Sequence, residues 1–237
     1  MRSTAETVSL SAEAYEVVRD RIARGELVLG QAISRRRIAA ELGMSFLPVT
    51  QALLRLEFEG LIESRPRAGT RVRVPTREDV EGNYVVRTAL ETQAAILCSH
   101  AATSAERAEL RRLAARVDAL ATKSDRSIYV KVHLKLHQRI AECARCEALC
   151  DVIDKTHAMA LIWFCAVRKP LSRPEATRRH QELVDAILSG SEAAIIAAVR
   201  DHLAVGRRHT LELLEPYFRV HAAPGRRFAR TTAPLRQ

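Results

Sequence analysis

Apolar residues recur at helical spacing along most of the chain, and the N-terminal pattern breaks into three short helices. The first is predicted over residues 10–23, with Gly25 as its stop signal. A second helix ends at Gly43, and a third is capped by Ser45 and has Pro48 in its first turn. The apolar stripe of the third helix comprises Val49, Ala52, Leu53 and Leu56. Two helices joined by a glycine turn are typical of a helix-turn-helix.

A basic hairpin follows these helices. Residues 65–74 alternate arginines with small and apolar residues around Gly69, which predicts a small β wing. A further arginine run, residues 35–37, opens the second helix. A helical hairpin without a binding role would also fit the helices alone, but the wing and the arginines favour a winged helix-turn-helix that binds DNA, over residues 8–75.

The rest of the chain has helical periodicity without strand signals. The pattern Thr76-Arg77-Glu78-Asp79 predicts a capped helix start. Helices are predicted over residues 80–100, 104–122, 127–143, a stretch ending near 166, 174–188 and 191–214. The fold class is therefore mainly α, with the winged unit followed by an all-α antiparallel helical bundle over residues 76–215. Residues 216–237 carry arginines and prolines without acids and are predicted to be a disordered basic tail.

Composition narrows the class of partner. The chain has 237 residues, enough for two modest domains, and a net charge of +10, which favours a polyanion such as DNA. No apolar run is long enough to span a bilayer, and the N-terminus lacks a signal-type core, so we expect a cytoplasmic protein without a membrane partner. The five cysteines, 98, 143, 146, 150 and 165, are odd in number and lie in apolar helical segments. Reduced thiols in or near the core are the favoured interpretation, with a redox switch as the alternative.

Four histidines of the bundle are candidate metal ligands. His133 and His137 are four residues apart and share one helix face. His180 lies ten residues before Gly190 and His202 twelve after it, so an antiparallel helix pair that turns at Gly190 brings them to similar heights. Imidazoles converging from separate helices could bind a divalent transition metal, with zinc or nickel favoured. The alternative is that each is an ordinary helical histidine, because histidine is only intermediate in burial and often finds a local partner. No carboxylate stands beside the four in the sequence as an obvious catalytic base.

The first third of the chain resembles the winged-helix domain of GntR-type bacterial regulators. The matching positions are Gly25-Glu26-Leu27, Gly30, Ile33, Ile38-Ala39, Leu42-Gly43-Met44-Ser45, Pro48-Val49, Ala52-Leu53, Arg55-Leu56-Glu57 and Gly60-Leu61. The family usually has Arg, Thr and Arg where this chain has Phe46, Leu47 and Thr50. Because arginine reads guanine with two hydrogen bonds, the resemblance implies a different operator or weaker base readout here.

The bundle resembles the FCD ligand-binding domain of the FadR-like subfamily of these regulators. The matching positions are Arg87, Leu90, Glu91, Ala94, Ala95 and Leu97, then Leu136-His137, Ile140-Ala141-Glu142, Ala148-Leu149, His180, Leu183, Ala186-Ile187, Ala193, Val199 and His202-Leu203. The chain departs from the domain's usual Asp at His133 and from its usual Asn at Cys146. The resemblance implies an organic-acid effector and, more often, repression.

We therefore predict a transcriptional regulator and not an enzyme. Because repression is the more frequent mode in the family it resembles, we expect a repressor. It would bind double-stranded operator DNA as a homodimer and respond to a small carboxylate at the metal site. The rival predictions are a metal-dependent hydrolase with a DNA-tethering module and an architectural DNA protein whose bundle only dimerises. Arg87 is the candidate second anchor of the carboxylate, unless Glu91 neutralises it in a structural pair.

The candidate DNA-binding residues lie around the helix-turn-helix and at the wing tip. They are Arg35, Arg36, Ser45, Phe46, Thr50, Gln51, Arg67 and Gly69. The resemblance places Arg36 at a position that reaches DNA, and Arg67 would contribute charge to a phosphate or the minor groove. Phe46 would pack either on a thymine methyl or against the wing.

Overall fold

The computed structural model describes residues 9–121, 126–165 and 178–221, and it has a small winged unit followed by a helical bundle. The winged unit consists of α1 (Leu10–Ala23), β1 (Ala32–Ile33), α2 (Arg35–Leu42), α3 (Phe46–Phe58), β2 (Ile62–Arg65) and β3 (Gly69–Val72). The bundle consists of α4 (Arg77–Ala101), α5 (Ser104–Leu120), α6 (Arg126–Cys143), α7 (Glu147–Cys165), α8 (Arg179–Leu188) and α9 (Glu192–His221). The mainly α class with a small β wing is therefore confirmed.

Local sequence signals explain where the first helices begin and end. The Ser34 hydroxyl accepts a hydrogen bond from the Arg37 N–H and caps α2, and Gly43 ends that helix with φ 62°, a conformation that glycine adopts at little cost. Ser45 holds the capping position of α3, but its side chain makes no capping hydrogen bond, so that part of the prediction is wrong. The third helical residue is Pro48, which has no N–H to offer the Ser45 hydroxyl.

The wing is a three-stranded antiparallel sheet in the order β1-β3-β2. In its register Ser64 faces Thr70, Arg65 faces Gly69, and Ile33 of β1 faces Thr70 from the other side. The turn between β2 and β3 carries Arg67, which is exposed and has φ 63°. The predicted hairpin is thus present, with one additional strand that the sequence did not indicate.

The bundle begins with two capping boxes, Thr76 with Asp79 on α4 and Thr103 with Glu106 on α5. Its long helix α4 packs against α9, α6 and α7, and α5 packs against α6 and α8. In the described part of the chain, no helix combines the length and apolar character needed to cross a membrane.

The end of α9 differs from the sequence prediction. The helix continues through Pro216 to His221, whereas a disordered tail was expected from residue 216. Arg77 contacts residues on both sides of Pro216: its guanidinium pairs with Glu215 at 2.6 Å and lies 5.3 Å from the Phe218 ring centre. The remainder of the predicted tail, residues 222–237, lies outside the described residues, as do residues 166–177, which include the predicted start of the helix before Gly190.

The bundle and the winged unit meet at Gly60, in the turn between α3 and β2. Gly60 has φ 77°, and a Cβ added there would lie 3.2 Å from the Met159 Cε atom of α7 and 3.1 Å from a guanidinium nitrogen of Arg73. Helix α7 also packs against α1. A side chain at position 60 would therefore require both of these flexible side-chain ends to shift slightly, and it would strain the backbone.

Candidate functional site

The four predicted histidines converge in the middle of the bundle. His133 and His137 project from one face of α6, His180 from α8 and His202 from α9. One ring nitrogen of each lies within 4.8 Å of one ring nitrogen of every other. The ring centres of His180 and His202 are 4.9 Å apart, and those of His133 and His180 are 5.1 Å apart. The spacing argument from the sequence therefore located a real cluster.

Two buried carboxylates from other helices orient this cluster, although the sequence had suggested none nearby. Glu91 of α4 contacts the Nδ1 atom of His137 at 3.0 Å, and Asp118 of α5 contacts the Nδ1 atom of His180 at 2.6 Å. A carboxylate accepts hydrogen bonds, so each Nδ1 carries a proton, and in a neutral imidazole the Nε2 atom then has the lone pair. The Nε2 atoms of His137 and His180 are buried and have no hydrogen-bond partner among the described residues.

These orphaned atoms fit a metal ion. Ligating histidines commonly donate their other ring N–H to a carboxylate, which fixes the tautomer and the ring orientation. Burial lowers the pKa of His137 to about 4, against the opposing hydrogen bond to Glu91. Burial, and then the neighbouring imidazoles, also hold the pKa values of His133 and His202 well below 6.5. His133, His137 and His202 are therefore neutral at pH 7, the form that binds a divalent metal.

Glu91 is the centre of a second group of contacts. Its carboxylate pairs with Arg87 Nε at 2.8 Å and contacts His157 Nε2 at 2.9 Å in addition to His137. Burial alone would raise the pKa of Glu91, but Arg87 and His157 lower it well below 4.5. The pairing that the sequence left open for Arg87 and Glu91 is therefore present. His157 was missed because the spacing argument used pairs of histidines, and the sequence of α7 contains no second histidine.

A small cavity opens beside the cluster. Its volume is about 100 Å³, and its wall includes three of the four histidines, 133, 137 and 202, together with Arg87, Tyr84 and His157. Arg87 is 6% exposed and lies 4.8 Å from the Tyr84 ring centre. The cavity thus combines candidate metal ligands with a guanidinium, a combination suited to a small anion.

The predicted DNA-binding residues lie on the winged unit, and most are exposed. Arg35 and Arg36 open α2, Ser45, Phe46 and Gln51 lie at and near the start of α3, and Arg67 and Gly69 form the wing tip. Phe46 is 56% exposed. Thr50 is partly buried, and its hydroxyl donates to the Phe46 carbonyl at 2.7 Å, which weakens it as a base contact.

The three candidate arginines of this surface differ from neighbouring arginines in having no ion pair with a described carboxylate. Arg37 pairs with Glu41 at 2.7 Å and Arg71 pairs with Glu63 at 2.8 Å. In residues 9–121, 126–165 and 178–221, no carboxylate lies within ion-pair distance of Arg35, Arg36 or Arg67. Their charges are therefore available to a phosphate.

The described cysteines are reduced thiols in or near the core, as the sequence favoured. Cys98 and Cys143 are buried free thiols, and Cys146 and Cys150 are free and partly buried. Burial raises the pKa of Cys98 to about 12 and raises the pKa values of Cys143 and Cys150. Thiols of this kind are poor nucleophiles at neutral pH. The Cys165 side chain lies outside the described residues.

Comparisons with known families cover both units. The model described as "Bacterial regulatory proteins, gntR family" matches residues 10–72, and the model described as "FCD domain" matches residues 83–205.

Individual proteins are similar to the chain over most of its length. The chain is 27% identical over 183 residues, 77% of its length and 80% of the relative's, to a probable D-xylose utilization operon transcriptional repressor of Paenarthrobacter nicotinovorans. It is 21% identical over 198 residues, 83% of its length and 87% of the relative's, to the HTH-type transcriptional repressor RspR of Escherichia coli. Among solved structures, Escherichia coli McbR/YncC matches 89% of this chain and 100% of its own, with a TM-score of 0.71 and 21% identity, which is a likeness of fold.

Proposed function

The chain belongs to the GntR family of bacterial transcriptional regulators and carries an FCD domain, and on this basis we propose that it is a metal-dependent repressor that senses a small carboxylate. In this proposal residues 8–75 bind operator DNA, residues 76–215 hold the metal and the effector, and 216–237 is an extension that adds basic charge. The relatives named above are regulators and not enzymes, which favours a sensor over a hydrolase.

The observation that carries the metal proposal is the pair of orphaned Nε2 atoms on His137 and His180. A buried nitrogen lone pair without a partner is costly, and a metal ion would satisfy both at once. His133 and His202 would complete the set, each with a nitrogen within 4.8 Å of the others. Zinc or nickel accepts imidazole ligands of this kind, and either would supply a Lewis acid that attracts a carboxylate.

The net positive charge at the proposed metal site is smaller than four neutral imidazole ligands alone would give. Asp118 lies one imidazole away from the site, so part of the metal charge is already balanced. The guanidinium of Arg87 pairs with Glu91, and Arg87 lines the cavity where an effector would sit. An effector carboxylate would therefore bind the metal first and share Arg87 with Glu91 as its second anchor.

The DNA-binding proposal depends on the exposed surface of α2, α3 and the wing. Arg35, Arg36 and Arg67 would contact phosphates, while Ser45, Phe46, Gln51 and Gly69 would approach the bases or the backbone. One winged unit makes few contacts, so we propose a homodimer on a two-fold symmetric operator in the cytoplasm. The names of two relatives support repression over activation.

The test is metal content measured by mass spectrometry on protein purified without a polyhistidine tag. We expect about one divalent ion per chain in the parent, near-zero content in His180→Ala, and a lower melting temperature for the variant, because metal binding stabilises the bundle. His100→Ala is the matched control, since His100 is exposed on α4, and it should keep its metal. Equal, near-zero content in the parent and in His180→Ala would overturn the metal proposal.

Effector control needs a second measurement on the same proteins. Operator binding by the metal-loaded parent should weaken when a small carboxylate is added, and the response should disappear in His180→Ala. A carboxylate response of the same size in metal-free parent protein would contradict a metal-dependent sensor.

A further inference from the structure

The exposed face of α3 carries a group of large apolar side chains. Phe46 is 56% exposed, Leu47 is 66% exposed and Leu54 is 59% exposed. At about 100° per residue, these three positions project from one side of the helix, and the buried residues of α3 occupy the other side. Exposed apolar side chains that are grouped in this way, unlike single ones, indicate a contact surface. We call Phe46, Leu47 and Leu54 the α3 patch.

Polar groups on this face are few. The Thr50 hydroxyl donates to the Phe46 carbonyl at 2.7 Å, so it adds no free donor to the surface. Gln51 is exposed, and its side-chain amide makes no hydrogen bond among the described residues. The N-terminal half of α3 therefore offers apolar groups and one available amide.

The same half of the helix offers no positive charge. Residues 46–54 contain no arginine or lysine. The next residue, Arg55, pairs with Glu59 at 3.1 Å and lies 3.8 Å from the Tyr15 ring centre, so its guanidinium is already engaged. Arginine and lysine are the side chains that most often recognise guanine, through its O6 and N7 atoms. The α3 patch is therefore poorly suited to a G·C base pair.

The neighbouring elements decide what covers the α3 patch. Arg35 and Arg36 open helix α2, Arg67 lies at the wing tip, and all three are exposed. No described carboxylate lies within ion-pair distance of them. Uncompensated positive charge on the adjoining elements favours a polyanion over an apolar protein partner. The major groove of DNA fits both this charge and the apolar side chains.

We propose that the start of α3 recognises A·T base pairs in the major groove, with Phe46 and Leu47 on thymine methyl groups and Gln51 hydrogen-bonded to adenine. The inference rests on the proposed DNA-binding function and names the base pairs that this function selects. In the major groove thymine presents a C5 methyl group, and adenine presents N6 and N7, which one amide can bind together. The face of α3 therefore matches both bases of the same pair.

The first test selects binding sites for the full chain from a library of duplexes. About 25 randomised base pairs leave room for two half-sites one helical turn apart. We expect A·T pairs at the positions of each half-site that α3 covers. Selections with Phe46→Ala, Leu47→Ala and Gln51→Ala identify these positions, because each variant should relax the base preference there and not elsewhere.

The second test isolates single groups on the bases of a selected site. Deoxyuridine differs from thymidine only in lacking the C5 methyl, so one replacement at a contacted thymine should weaken binding about 4-fold, the contribution of one buried carbon group. Fluorescence anisotropy at a fixed salt concentration measures the affinity. The variant Phe46→Ala or Leu47→Ala should lose this penalty at the methyl that its side chain contacts. Likewise, 7-deazaadenine, which lacks N7, should weaken binding by the parent but not by Gln51→Ala.

Phe58→Ala is the matched control. Phe58 is 94% exposed at the other end of α3, about 18 Å along the helix axis from Phe46. This variant also removes an exposed aromatic ring from the same helix. It should keep both the parent's selected sequence and the full deoxyuridine penalty.

The outcomes separate this inference from the function on which it rests. Selected sites with G·C pairs at the positions covered by α3 would overturn the inference and leave DNA binding intact. Unchanged affinity after replacement of each thymine in turn would also overturn it, as would a full penalty in both Phe46→Ala and Leu47→Ala. If no duplex is enriched over the library, the proposed DNA-binding function fails together with this inference. Should a variant not fold, the deoxyuridine series on the parent still decides.

Discussion

The candidate DNA-binding surface and the histidine cluster place charged and polar side chains in opposite environments. Arg35, Arg36 and Arg67 are exposed, have no ion pair among the described residues, and all lie in the winged unit. The cluster histidines come from three helices, and their supporting carboxylates, Glu91 and Asp118, come from two more. The DNA-binding surface needs only a rigid support beneath it. The histidine cluster needs both of its carboxylates and all three of its helices in place.

This difference has an energetic consequence. Exposed charges are screened by salt and water, so each arginine contributes little to folding. Inside the bundle, a polar group that loses its partner keeps the full cost of leaving water. Substitutions at the surface should therefore change DNA binding without changing stability, while substitutions around the cluster should change both stability and metal affinity.

The largest expected effect comes from removing the support beneath the DNA-binding surface. Leu56 of α3 is fully buried, so Leu56→Ala should lower the free energy of unfolding by about 2–5 kcal/mol, measured by urea denaturation. Operator binding should weaken at 37 °C while metal content stays constant. Phe58→Ala, at a position that is 94% exposed on the same helix, should change stability by less than about 0.5 kcal/mol. Loss of metal in Leu56→Ala would show that the two regions are not separable.

A smaller effect is expected from Asp118→Asn, which tests the dependence of the cluster on its partners. Asp118 accepts hydrogen bonds from the ring of His180 and from the backbone N–H groups of His180 and Gln181 at the start of α8. Losing its charge should cost about 1.5–3 kcal/mol in the free energy of unfolding and about 10- to 100-fold in metal affinity.

Asp185→Asn is the control for this substitution. Asp185 is 60% exposed on α8, and its contact with Arg111 is long, at 3.9 Å. It should leave both quantities nearly unchanged. Normal metal affinity in Asp118→Asn would reduce Asp118 to a helix cap.

The smallest effect on stability is expected from the double variant Arg36→Ala and Arg67→Ala. Both side chains are exposed, so the free energy of unfolding should change by less than about 0.5 kcal/mol. Operator affinity should fall, and the slope of its logarithm against that of salt concentration should decrease by roughly two, because two phosphate contacts are lost. The exposed arginines Arg112 and Arg116 of α5 provide a charge-matched control pair. An unchanged slope would exclude these two residues from the DNA contact.

The sequence predicted most of the helices because their signals are local. Glycine at the end of α2, the capping box at Thr76 and the apolar stripe of α3 each lie within a few residues of the structure they specify. Strand β1 was not predicted, since it has two residues and exists only through pairing with β3. The predicted Ser45 capping bond is absent because Pro48, three residues later, lacks the N–H that would donate to the Ser45 hydroxyl.

The candidate metal site likewise has one part with local sequence signals and one part that depends on distant partners. Helical spacing and symmetry about Gly190 were enough to find the four histidines. Glu91, Asp118 and His157 were not found as supports because they contact partners 46, 62 and 66 residues away. Such contacts depend on which helices pack together, and a single sequence carries no direct signal for that.

Helix α7 contacts both the cavity of the bundle and the winged unit. His157 lines the cavity, and Met159, two residues further on, lies beside Gly60 of the winged unit. Two helical residues are rotated by about 200° and separated by about 3 Å along the axis, so they face opposite sides of one stiff rod. Because a helix is stiff over this distance, a displacement of α7 at the cavity would move Met159 against Gly60 by a similar amount. Coupling of this kind between the cavity and the winged unit would need no chain of intermediate side chains, because only the width of one helix separates His157 from Met159.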